Sequence, residues 1–401
     1  MTAGNSTVDE PLLTISRPPK FWGSPFGWAF AVAVSVLTVS GLLIISAEVR
    51  PAEPVVTVKG IMASKQDFFN DGKVQRLLRE HNFEVEVTAR GSREVALDVI
   101  NQETEEYDFA FPSGQPAADL IKNYRRQNGK YQRKIEIFSS PMVLASYRPY
   151  AEALVSAEVA DPQDPNSANP LFYTLDTEKF IELGETGMTW NGIGINPIRN
   201  GNRVLAHTSG VCRSNSGATY LGLVAFVKNN RSPPQTEVET DRLAQQIQPL
   251  ISATGMPESD MFDTYVTPEG MSQGPIVVVY EHQFLEYQIK HRERTGKPDT
   301  QRVLLYPEEE FQTDPEFLAL KPGPADQLAR LLATDRELRT RMMQLGYRVY
   351  DDTDAVNSNQ LFRYLGDQGL PAPTRRDATR ALLPTLDLLE TLIRKVGRCL
   401  Q

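Results

Sequence analysis

Hydropathy divides the chain into two unequal parts. From Phe21 to Ala47 no side chain is charged, with Arg17 and Lys20 before the run and Glu48, Arg50 and Glu53 after it. A helix crosses a hydrocarbon core with roughly 20 apolar residues at about 1.5 Å each. The pattern therefore predicts a tail over 1–20, one transmembrane helix over 21–47 and a linker over 48–54. Trp22 and Trp28 suit the headgroup layer, and the preceding basic residues favour a cytoplasmic N-terminus. Everything after Glu48 is then expected outside the cytoplasm. A cleaved signal peptide is the competing reading, but Ile44-Ile45-Ser46-Ala47 is a poor cleavage site.

Beyond the linker the periodicity changes every ten to fifteen residues. Val55–Gly60 reads as a strand, Lys73–His81 as a helix with Val74, Leu77 and Leu78 on one face, and Phe83–Thr88 as an alternating strand. A helix over Arg93–Asn101 and a strand over Tyr107–Phe111 continue the series. From Ile135 to Ala145 apolar strands are interrupted by Ser139-Ser140-Pro141, a break suited to a crossover. Further strands are expected at Arg203–Ala206, Pro275–Tyr280 and Arg302–Tyr306, the second of them buried on both faces. Helices are expected at Tyr220–Lys228, Leu243–Leu250, Ala325–Ala333, Glu337–Leu345 and Leu382–Val396, the last ending before Gly397. Strands alternating with helices predict an α/β architecture, and the length beyond the linker suits two lobes.

Composition narrows the function. Acidic residues number 51 against 42 basic ones, and basic residues form no block longer than short pairs such as Arg125-Arg126 and Arg375-Arg376, which argues against a nucleic-acid partner. The histidines at 81, 207, 282 and 291 have no metalloprotease spacing, and Cys212 with Cys399 makes no zinc cluster. No metal or cofactor is expected. Whether the two cysteines bridge is left open, because spacing does not say whether their β-carbons meet.

The strongest local signal is His207-Thr-Ser-Gly-Val-Cys-Arg-Ser-Asn-Ser-Gly-Ala-Thr219, between an expected strand and a helix. One helix cap needs one hydroxyl, whereas this loop offers several, together with the Asn215 amide and the free N–H groups of a helix start. Ser214, Asn215 and Ser216 are therefore candidate ligand contacts, with Gly217 allowing close backbone approach. Shorter polar clusters follow other strands: Ser64 with Lys65, Ser92 with Arg93, Ser113 with Gly114, and Ser140 at the crossover. Loops beyond strand C-termini converge in an open α/β sheet, so these residues are expected to share one crevice. Arg93 is a candidate anion contact, and Tyr280 a candidate wall with its hydroxyl towards the ligand.

At these residues the chain resembles the bacterial extracellular solute-binding proteins of the type II periplasmic-binding fold, the group that includes molybdate and sulfate binders. The resemblance rests on Gly60–Asp71, Gly91-Ser-Arg-Glu94, Phe111-Pro-Ser-Gly114, Ser140-Pro-Met-Val-Leu144, Ser214-Asn-Ser-Gly217, Val279-Tyr280 and Arg302–Pro307. It implies two α/β lobes, 55–144 with 300–401 and 145–299, joined by two crossover strands and closing on a ligand. It also implies first-lobe contacts from Ser64, Ser92 and Ser113, and second-lobe contacts from Ser214 to Ser216 and Tyr280. The implied ligand is a small polar solute or oxyanion. The implied partner is an ABC transporter permease or another membrane protein, at a bacterial cytoplasmic membrane. An anchor helix in place of a cleaved signal or lipid-attached cysteine departs from the family pattern. Two alternatives accompany this non-enzymatic reading. One is an envelope scaffold or signalling component with a degenerate cleft. The other is a serine- and histidine-dependent hydrolase using His207.

Overall fold

The computed structural model describes residues 54–101, 106–255, 261–311, 314–350, 356–374 and 379–399; the expected anchor over 21–47 lies outside them. Among the described residues no helix is long and apolar enough to cross a membrane.

Two mixed sheets organise the fold. The first half begins with β1 (Val56–Met62), β2 (Phe83–Ala89), β3 (Phe109–Phe111) and β4 (Arg133–Glu136). The short β5 (Phe138–Ser139) leads to β6 (Met142–Tyr147), β7 (Ala160–Pro162), β8 (Phe172–Leu175), β9 (Ile276–Tyr280), β10 (Arg302–Pro307) and β11 (Glu309–Glu310). The chain then forms β12 (Glu316–Ala319), β13 (Arg348–Tyr350), β14 (Val356–Asn357) and β15 (Thr379–Arg380). The first sheet has the order β2-β1-β3-β12-β4 and the second the order β7-β8-β10-β6-β9; β14-β13-β5 forms a smaller sheet.

Local chemistry accounts for these elements. Asp71 caps the Gly72–Glu80 helix by accepting from the N–H groups of Lys73 and Val74 at 3.1 and 3.0 Å, and the helix turns Val74, Leu77 and Leu78 inward. In β9 all five residues are buried, as an uninterrupted Ile-Val-Val-Val-Tyr run requires. The Asn215–Lys228 helix is buried nearly all round, which explains why its amphipathic period is weak.

Three expectations need correction. Arg203–Ala206 forms no extended strand: pairing is limited to single bridges, Thr189 with Arg203 and His207 with Val277. Val204 and Ala206 are buried, so their apolar pattern reported burial rather than pairing. Second, the lobe boundaries shift. Met142–Leu144 and Arg302–Pro307, assigned to the first lobe, pair with each other and with β8 and β9 in the second sheet. Third, the C-terminal helices Ser358–Asp367 and Leu386–Gly397 place Leu361, Leu365, Leu389, Leu392, Ile393 and Val396 in the second core, not the first. The chain therefore passes between the halves around 137–141, between β11 and β12, and again between β14 and the Ser358–Asp367 helix, three times rather than the expected two.

Candidate functional site

Parallel pairing of β1 with β2 and β3 sets Met62 opposite both Ala89 and Phe111. The three strands thus end level, and the turns that follow carry Ser64, Ser92 and Ser113 to one edge. Opposite them, the second half presents the start of the Asn215–Lys228 helix and the end of β9. Between the two edges lies a cleft of about 610 Å³. Of the sequence-predicted residues it is lined by Ser64, Ser92, Ser113, Ser214, Asn215, Ser216 and Tyr280.

The hydroxyls are positioned by the backbone and by each other. Ser214 is the N-cap, its Oγ accepting from the Gly217 N–H at 2.9 Å and lying 3.4 Å from Ser216 Oγ. A Cβ on Gly217 would come within 2.4 Å of the Ser209 carbonyl oxygen, so that turn needs glycine. Ser92 Oγ accepts from the Ser113 N–H at 3.0 Å, and Ser64 and Ser113 hydroxyls are 3.0 Å apart. Asn215 Nδ2 donates to the Tyr280 hydroxyl at 3.0 Å, while Asn215 Oδ1 is buried with no protein partner. A Cβ on Gly114 would lie 2.4 Å from that amide nitrogen, so glycine at 114 lets the halves meet there.

Two predicted contacts lie elsewhere. Arg93 is spent holding the halves together: its guanidinium forms a two-point pair with Glu390, its Nε donates to the Cys212 carbonyl at 3.1 Å, and its backbone N–H reaches the Arg213 carbonyl at 3.3 Å. Arg213 in turn pairs with Glu94 at 2.6 Å. Ser140 is 1 % exposed beneath the floor, where its Oγ accepts from the His282 N–H at 3.0 Å and lies 2.9 Å from His282 Nδ1. Both side chains serve architecture because a neighbouring element already occupies their polar atoms. His207 is not among the lining residues; its backbone joins β9 through Ile276 and Val278. Burial pushes its imidazole below the usual histidine range.

Several residues without a sequence-derived role complete the site. Lys65, 1 % exposed, sits with its Nζ 3.4 Å from the centre of the Tyr280 ring and donates to Ser64 Oγ at 3.3 Å. His282 stacks on Tyr347 at 4.2 Å, and the Tyr280 ring lies 6.0 Å from it. Burial, reinforced by the nearby Lys65 ammonium, holds His282 well below its ordinary 6.5. It is neutral in the fold and charged on unfolding in acid. Stability is therefore expected to fall as the pH drops below about 6.5, and His282→Gln to flatten that limb in urea denaturation measured from pH 7 to 5. Asp67, Glu94, Asp263 and Glu286 line the cleft with Arg90 and Arg213, so the wall carries both signs of charge. Only chain neighbours of the serines, such as Lys65 beside Ser64, were signalled in the sequence; Glu286 and Tyr347 reach the cleft through tertiary packing.

Cys212 and Cys399 form a disulfide with their Cα atoms 5.6 Å apart. It fastens the serine loop to the C-terminal turn of the Leu386–Gly397 helix, the helix that carries Glu390. Among the described residues no cluster of His, Cys, Asp and Glu is arranged to hold a metal ion.

No protein-family model matches the chain, and no curated protein does. Among solved structures, the chain is similar to iron-bound HitA from Pseudomonas aeruginosa, at 11 % identity and a TM-score of 0.48 over 85 % of this chain and 99 % of that one. It is also similar to the sulfate-binding protein SubI from Mycobacterium tuberculosis H37Rv, at 13 % identity and a TM-score of 0.43 over 84 % and 96 %. The periplasmic molybdate-binding protein of Azotobacter vinelandii follows at 11 % identity and a TM-score of 0.40 over 73 % and 100 %.

Proposed function

We propose that this chain is an extracytoplasmic binding protein, held to a bacterial cytoplasmic membrane by its 21–47 segment, that captures a small polar solute without converting it. The observation that carries this reading is the meeting of Ser64, Ser92 and Ser113 from one half with Ser214, Asn215, Ser216 and Tyr280 from the other, around one cleft. A cleft of about 610 Å³ falls within the roughly 300–1,000 Å³ range typical of small-molecule sites. Hydroxyls and helix-terminal N–H groups supply orientation, and movement about the segments joining the halves admits and encloses the solute. The disulfide suits an oxidising compartment. A transporter permease or another membrane protein that reads occupancy is the partner this role calls for.

The test is a calorimetric and thermal-shift screen of small polar solutes and oxyanions against the full-length chain. At least one solute is expected to stabilise the protein, and Ser64→Ala with Ser216→Ala to weaken its binding about tenfold, since each lost hydrogen bond is worth about 0.5–1.5 kcal/mol. Ser216 is not the helix cap, so the double variant keeps the Ser214 bond to Gly217. A folded protein that responds to no solute would support the scaffold reading. Turnover of a solute would support the hydrolase.

A further inference from the structure

The cleft floor is electrically divided. At one end, the Ser64 and Ser113 hydroxyls and the positive N-terminus of the fourteen-residue Asn215–Lys228 helix line the cleft, and the buried Lys65, itself not a lining residue, reaches Ser64 Oγ at 3.3 Å and the Tyr280 ring centre at 3.4 Å. At the other, the Asp67 and Glu286 carboxylates line the cleft together with Tyr347. They add to burial in raising the Tyr347 hydroxyl well above its ordinary range. The His282 ring contacts both Tyr280 and Tyr347, with centroids 6.0 and 4.2 Å away. Of the lining guanidinium groups, Arg213 pairs with Glu94 and Arg90 with Asp98. Glu286 pairs with exposed Lys290, yet a carboxylate offers about four acceptor positions and one ammonium does not use them all.

One further observation points the same way. The cleft keeps its roughly 610 Å³ although the halves already touch through Arg93, Arg213 and Asn215, which is more room than a bare tetrahedral ion needs.

Building on the solute-capture reading, we propose that the ligand is an organic zwitterion of the amino-carboxylate class. Its anionic group sits against Ser64, Ser216 and the helix start, and its ammonium faces Asp67 and Glu286. A bare oxyanion fills only the first of these positions and a diamine only the second.

Titration calorimetry on the full-length chain, at low salt and neutral pH, separates these cases. The probes are sulfate and molybdate, putrescine, butyrate, and the series glycine, 4-aminobutyrate and 6-aminohexanoate. One member of the amino-carboxylate series is expected to bind at least tenfold more tightly than any probe carrying a single kind of charge. Glu286→Gln and Asp67→Asn are each expected to erase most of that advantage while leaving butyrate binding unchanged or slightly stronger. Sulfate or molybdate binding as tightly as the best amino-carboxylate would overturn the zwitterion assignment and leave solute capture standing. So would an amino-carboxylate affinity indifferent to both substitutions, with thermal unfolding confirming that the variants are folded. No binding of any probe, combined with a silent broad screen, would overturn solute capture itself and this assignment with it.

Discussion

Replacing Arg348 with Met is expected to destabilise the folded chain by about 3–5 kcal/mol, the usual result of stranding a buried charge. Arg348 grips Glu281 at two points, each 2.7 Å, and Glu281 is fully buried; the Tyr306 hydroxyl adds a third bond at 2.7 Å. The pair also spans the halves. Arg348 opens β13, whose Val349 lies in the first core, whereas Glu281 opens the helix whose Phe284 and Leu285 lie in the second. Removing the arginine alone leaves a carboxylate facing apolar surroundings with only one remaining donor. Removing both charges, as in Arg348→Met with Glu281→Gln, is expected to recover more than half of the loss, because the desolvation cost disappears with the attraction. Urea denaturation of the two single variants and the double variant closes the cycle. Additive losses would show that the pair contributes no more than two independent contacts.

The second large effect concerns Cys212 and Cys399, which close a loop with a sequence separation of 187. Cys212→Ser with Cys399→Ser is expected to cost about 2–5 kcal/mol, chiefly by freeing the unfolded chain. The same urea experiment, run with and without a thiol reductant, should lower the wild-type midpoint and leave the double variant unmoved. A further loss reaches the cleft. Arg93 takes its acceptors from Cys212 and from Glu390, on the two segments that the disulfide joins, so untying them loosens the contact that holds the halves together. Solute release is expected to quicken in the variant beyond its change in stability, measurable by stopped-flow at a temperature where both proteins are fully folded.

Much of the first sheet was readable from local pattern. Val56–Met62 and Phe83–Ala89 show the strand signal, and Gly72–Glu80 and Ser92–Asn101 the helical one, each within a few residues of its expected bounds. The serine clusters were readable because polar turns after strands keep a fixed relation to the strand ends, and parallel register then brings those ends level. What the pattern could not convey was allocation. Arg93 and Ser140 have the chemistry of ligand contacts, but whether a polar group faces a solute or a neighbouring helix depends on partners some 140 to 300 residues away. The same holds for Lys65 and Glu286, which acquire their roles from Tyr280 and Tyr347. Lobe boundaries were misplaced for a related reason: Arg302–Pro307 looks like any buried strand, and only pairing decides which sheet receives it. At the end of the chain, glycine suggested a helix stop, yet the helix runs through Gly397 and the left-handed residue is Arg398, with φ of 51°.

The position of the Leu386–Gly397 helix sets the order of events during synthesis. This helix packs on Glu237–Ser252 and supplies Leu389, Leu392, Ile393 and Val396 to a core whose earliest strand is β6. The first half also needs β12 and β13 from the later sequence. Neither hydrophobic core can therefore be sealed as it emerges from the ribosome or translocation channel. The second waits for Val396, so a nascent chain carries open apolar surface until that helix has emerged.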